Sequence, residues 1–147
     1  RSTLFPYTTL FRSSTDQWKP TPDIPGKMYT EKLIETYDGL EITLKALDDS
    51  CGIKIIFDNS VISYQITDEG NRWRTLDFLE ETYGTVFYAK WTLFEVQDSS
   101  LLKWVREESY INDEYINPHF QLKQFTLLTT DEFIDIITSY DPDIEVL

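Results

Sequence analysis

The sequence is short of the residues on which many small enzymes and disulfide-stapled domains depend. Its 147 residues include one cysteine, one histidine, one methionine and five glycines. A single cysteine excludes an internal disulfide framework and any zinc site built mainly from thiolates. A single histidine confines imidazole acid–base chemistry to His119, which follows Pro118, a position where a structural histidine is also at home. With so few glycines, neither GxGxxG nor GxxxxGK(S/T) occurs, so no phosphate-cradling loop of either kind is encoded. The longest apolar run, Val86-Phe87-Tyr88-Ala89, is far below the roughly 18 residues of a membrane span. Bases are scarce too: 13 Lys and Arg stand against 26 Asp and Glu, for a net charge of −13. That balance argues against a nucleic-acid or anionic-membrane partner. These absences lead to the expectation of a cytoplasmic protein with no catalytic residue, no cofactor and no metal.

What remains is ample for a folded core. Hydrophobic residues make up 41% and charged residues 27% of a length suited to one domain. Residues 1–13, RSTLFPYTTLFRS, contain no acid in a chain that has 26. They resemble the conceptual translation of a sequencing adapter and are expected to be non-native, as an expression scar would be. Residues 14–36 read as an extended N-terminal arm and entry, because DQWKPTPDIPG holds three prolines. Trp18 and Ile24 are its expected anchors. Residues 37–147 then form a single α+β domain.

Alternation of apolar and polar residues predicts strands at Leu40–Ala46, Gly52–Phe57 and Val61–Thr67, joined by short polar turns into an antiparallel meander. Leu76, Leu79 and Tyr83 share a helical face that Gly84 can end. Thr85–Val96 is expected to be a long two-sided strand, and Asp98 to cap a helix through about Ser109. Phe120–Leu128 follows as a strand with a bulge between Leu122 and Phe125. Thr129 and Glu132 form a capping box before a helix carrying Phe133, Ile134, Ile136, Ile137 and Tyr140. The sum is one mainly antiparallel sheet of about five strands with about three helices, mainly on one face.

No spacing in the sequence makes a catalytic constellation. Cys51 sits in a turn with no base near it in sequence, and a Cys51/His119 pair is not demanded by any motif. Glu80-Glu81, Glu107-Glu108 and Asp113-Glu114 are adjacent pairs, and neighbours on a helix diverge by about 100° instead of converging on a substrate. Asp141-Pro142-Asp143-Ile144-Glu145 lacks the central glycine of a calcium loop.

Charge placement says more. Ten acids and one base, Lys123, lie between Glu107 and Leu147. Such a segment can serve solubility alone, or it can dock a basic partner by steering its approach. Aromatics among the acids have the composition of a binding hot spot. The candidate recognition residues are Trp104, Glu107, Glu108, Tyr110, Asp113, Glu114 and Tyr115. From Trp18 onward the chain also resembles small proteins of Bacillus-type bacteria, some encoded near polymorphic secreted toxins. The resemblance rests on WKP…IPGKMY at 18–29, YDGLEITLKAL at 37–47 and ISYQITDEG at 62–70. It continues through WTLFEVQDSSLLKWVREESY at 91–110 and FTLLTTDEFIDIITSYDPDIEV at 125–146. It implies a non-enzymatic immunity-type protein that neutralises a cognate toxin, with a basic protein such as a secreted nuclease-type toxin as partner. The alternatives are a small Cys/His-dependent hydrolase or transferase, or a housekeeping domain.

Overall fold

A computed structural model describes residues 13–109 and 122–147. The class is α+β, as the sequence predicts, but the strands make two sheets instead of one. The described strands are β1 (Ser14–Gln17), β2 (Met28–Thr36), β3 (Gly39–Ala46), β4 (Gly52–Asp58) and β5 (Val61–Asp68), then β6 (Leu93–Gln97), β7 (Lys123–Leu128), β8 (Glu132–Thr138) and β9 (Asp143–Val146). The helices are α1 (Trp73–Tyr83), α2 (Thr85–Ala89) and α3 (Ser100–Glu108). One sheet runs β1-β6-β7-β8-β5, the other β2-β3-β4-β9, and all the pairings are antiparallel.

The two sheets face each other across one apolar cluster. Met28, Leu40, Ile42, Leu44, Ile53, Ile55 and Phe57 come from the four-stranded sheet; Leu93, Phe125, Leu127, Ile134 and Ile136 come from the five-stranded one. Trp18 and Ile24 pack against this cluster as expected, with the Trp18 ring 4.5 Å from that of Phe125. The arm that carries them begins in β1, which pairs with β6, and leads into β2, which pairs with β3. At the β2–β3 turn Gly39 has φ +140 and lies where a Cβ would fall 2.1 Å from the Phe57 carbonyl oxygen, so only glycine fits.

Four local expectations are corrected. The opening meander breaks after β4, because β5 crosses to the other sheet and pairs with β8. The stretch 85–96 is not one strand: Gly84, at φ 88, turns the chain into α2, and β6 begins only at Leu93. Stacking of Phe87 on Tyr83 at 4.3 Å and its contact with Phe94 at 5.4 Å override the local β propensity. The bulge expected near Leu122 is absent from the β6–β7 and β7–β8 ladders; register shifts fall instead at Thr30/Lys32 and Val61/Ser63.

The largest correction concerns Glu132–Thr138, which is a strand and not a helix. The Thr129 hydroxyl does accept the Glu132 N–H at 3.1 Å, but the motif closes the β7–β8 hairpin, where the Thr129 N–H also meets the Glu132 carbonyl at 2.9 Å. Phe133 and Ile137 face the helices while Ile134 and Ile136 face the other sheet. A strand buried on both faces has no polar alternation to distinguish it from a helix, and its branched isoleucines suit a pleated surface. No helix among the described residues is long and apolar enough to cross a membrane.

Candidate functional site

Two features of the helical side of the molecule are candidate sites: the solvent face of α3 and the cleft between α1 and α3. The α3 helix begins one residue later than the sequence suggested. Asp98 adopts φ 56 in the turn after β6, and Ser99 is the cap, its hydroxyl accepting the Leu102 N–H at 3.0 Å. Leu102 and Val105 are buried and pack with Ile137 on the sheet. The helical repeat then directs Lys103, Trp104, Glu107 and Glu108 to solvent. Trp104 is 52% exposed, with Glu107 and Glu108 three and four residues on, so an unsheltered indole shares a surface with two carboxylates.

Of the seven candidate recognition residues, α3 therefore brings Trp104, Glu107 and Glu108 together. Tyr110, Asp113, Glu114 and Tyr115 lie outside the described residues, as do His119 and residues 1–12. Cys51 sits in the turn between β3 and β4, partly exposed, and its Sγ lies 3.6 Å from the Ser50 hydroxyl. Among the described residues no group of three or more His, Cys, Asp or Glu side chains is placed to hold a metal ion.

The cleft was not anticipated. The outer face of the five-stranded sheet is covered by two separate apolar groups. Leu79 of α1 packs with Phe94, Leu128 and Phe133 of the sheet; Leu102 and Val105 of α3 pack with Ile137. Between them opens a cleft of about 600 Å³ whose floor is polar. Gln65, Asp135 and Thr126 stand side by side on β5, β8 and β7.

Asp135 is 2% exposed, and a bare carboxylate there would be costly. Its Oδ2 accepts from Arg72 Nη1 at 2.9 Å and Gln65 Nε2 at 3.1 Å; Oδ1 accepts from Thr126 Oγ1 at 2.8 Å and Gln124 Nε2 at 3.3 Å. Those bonds match the roughly four lone-pair sites of a carboxylate, so Asp135 has no basic lone pair to offer a substrate. The network continues through Gln124, whose Oε1 accepts the Ser99 hydroxyl, to the cap of α3. The guanidinium of Arg72 lies 4.4 Å from the Phe133 ring centroid and donates from Nε to Thr75 at 3.3 Å.

Nearby, Lys27 fastens the loop after α2 to the sheet. Its Nζ donates to the carbonyls of Leu128 at 2.7 Å, Tyr88 at 3.1 Å and Trp91 at 3.3 Å. Burial lowers its pKa to about 8, opposed in part by the charge of Glu69.

A signal for the buried network was present in the sequence. The run Phe133-Ile134-Asp135-Ile136-Ile137 sets one acid among four large apolar residues, which on a two-sided strand demands a buried cationic partner. Its partner Arg72, far away in sequence, carries no comparable mark. Comparisons of the chain with protein-family models, curated proteins and solved structures returned no match.

Proposed function

We propose that this chain is a non-enzymatic acidic binding protein of the immunity type, which neutralises a cognate bacterial toxin by covering its basic surface. The observation that carries this reading is the outer face of α3, where exposed Trp104 stands beside Glu107 and Glu108. An exposed tryptophan supplies contact area at little conformational cost, and flanking carboxylates steer a basic surface towards it. A nuclease-type toxin fits this chemistry, since it must carry a basic surface to hold its own substrate. The net charge of −13 adds long-range attraction for the same partner.

The test is growth rescue. Cells producing the cognate toxin, sought among basic nuclease-type toxins, are expected to survive when the chain is co-expressed, and the two proteins to co-purify. The triple variant Trp104→Ala, Glu107→Lys, Glu108→Lys alters only solvent-facing positions, so it is expected to melt like wild type yet lose rescue. Full rescue by that variant would place the contact elsewhere, and no rescue by wild type would remove the immunity reading. Rescue retained in a Cys51→Ala, His119→Ala variant separates binding from Cys/His catalysis.

A further inference from the structure

We propose that the cleft between α1 and α3 binds a small organic carboxylate, with Arg72 as its anion anchor and Trp73 and Phe78 against an apolar body. The inference is independent of the toxin-binding reading, because Trp104 projects from the side of α3 away from the sheet. A cleft of about 600 Å³ lies inside the roughly 300–1,000 Å³ range of small-molecule sites.

Its floor is selective in the sign of charge it can receive. Asp135 is saturated by Arg72, Gln65, Thr126 and Gln124, so it cannot take up a cation without breaking the network. Arg72 is not saturated: Nη1 meets Asp135 and Nε meets Thr75, while among the described residues no protein acceptor meets Nη2. Its side chain remains 22% exposed and lines the cleft. Asp135, Thr75 and the Phe133 ring hold the guanidinium in place, so a ligand need not order a long flexible arm. The first turn of α1, which lines the same cleft, has no side-chain cap and adds positive potential.

The chemistry favours a monoanion. Asp135 already neutralises much of Arg72, and a chain of net charge −13 opposes a dianion such as inorganic phosphate. Phe78 and Trp73 give the site apolar walls that a bare inorganic ion would leave unused.

Phenylacetate, its neutral isostere phenylacetamide and inorganic phosphate form a discriminating set, titrated into the full chain by calorimetry and tryptophan fluorescence. Phenylacetate is expected to bind with a Kd of about 1 mM or tighter, and the other two at least about tenfold more weakly. The paired substitution Arg72→Gln with Asp135→Asn removes both charges while keeping hydrogen-bonding groups; it is expected to lose phenylacetate binding at least about tenfold. If that pair fails to fold, Trp73→Ala, at a residue 69% exposed on the rim, is expected to weaken phenylacetate severalfold with unchanged melting. Equal affinity for phenylacetamide would overturn anion recognition, and tighter phosphate binding would overturn the carboxylate assignment. No binding of phenylacetate at 10 mM (roughly ten times that Kd), or unchanged binding in both variants, would overturn the site.

Discussion

On the inner face of the five-stranded sheet, Phe125, Leu127, Ile134 and Ile136 merge with side chains of the other sheet into one apolar cluster. On the outer face the same two central strands carry Gln124, Thr126 and Asp135, and the apolar cover is divided in two. The inner face follows the general rule for a core: shape and hydrophobicity suffice, and among the described residues its cluster contains no charged side chain. The outer face buries a carboxylate and meets its cost with four donors. A buried ion pair is a weak source of net stability, so its contribution here is positional. The network fixes Arg72 in the cleft and the cap of α3, and thereby the helix that presents Trp104. One face supplies stability, and the other places the groups on which both proposals rest.

Substitutions on the two faces should therefore fail differently. Phe125→Ala on the inner face is expected to cost about 3–5 kcal/mol in urea unfolding, because the cavity it leaves is enclosed by both sheets. Asp135→Ala on the outer face is expected to cost about 3 kcal/mol, at the low end for a broken buried pair, since Arg72 can turn to water. The pair Arg72→Gln with Asp135→Asn should cost clearly less than Asp135→Ala, as no charge is left without a partner. An inner-face pair has no such rescue, so additive losses at Arg72 and Asp135 would dissolve the distinction.

A smaller effect separates the faces by pH. Burial lowers the Lys27 pKa to about 8, whereas an unfolded lysine keeps its proton up to the ordinary lysine value of 10.5. Between those values the unfolded chain binds more protons, so this group makes stability rise with pH; below about 8 both states are protonated and its penalty is constant. Tyrosines act in the opposite sense above the ordinary tyrosine value of 10.0: the Asp49 hydrogen bond raises the pKa of Tyr29, and burial raises those of Tyr64 and Tyr88. The difference in unfolding free energy between wild type and Lys27→Met should therefore shift in favour of wild type from pH 8 towards 10. A pH-independent difference would mean the Lys27 ammonium is as well solvated by its three carbonyls as by water.

The same contrast explains what could be read from the sequence. The α+β class, β3, β4, β5, α1 and α3 were legible because each has one wet face, so its apolar residues recur at the period of its own geometry. The nature of β8 was not, since a strand buried on both sides shows no alternation and Thr129 supplies a turn hydrogen bond indistinguishable in sequence from a helix cap. Sheet membership was not legible either: the short turn after β4 suits a hairpin, yet β5 pairs with β8, far along the chain. On the outer face of α3, the shared exposure of Trp104, Glu107 and Glu108 follows directly from helical spacing. The cleft depends on Arg72 meeting Asp135 across 63 positions, a contact that composition and periodicity do not encode.

The central claim, that the acidic outer face of α3 docks a basic protein, is tested most directly by association kinetics across a salt series. Wild type and the Glu107→Lys, Glu108→Lys variant are mixed with a basic nuclease-type toxin that the wild-type chain neutralises in the rescue assay, from about 20 mM to 1 M salt, where the screening length falls to about 3 Å. The account predicts association about tenfold slower for the variant at low salt, with the two rates converging near 1 M. Rates that coincide at every salt concentration would contradict it, leaving those carboxylates a role in solubility alone.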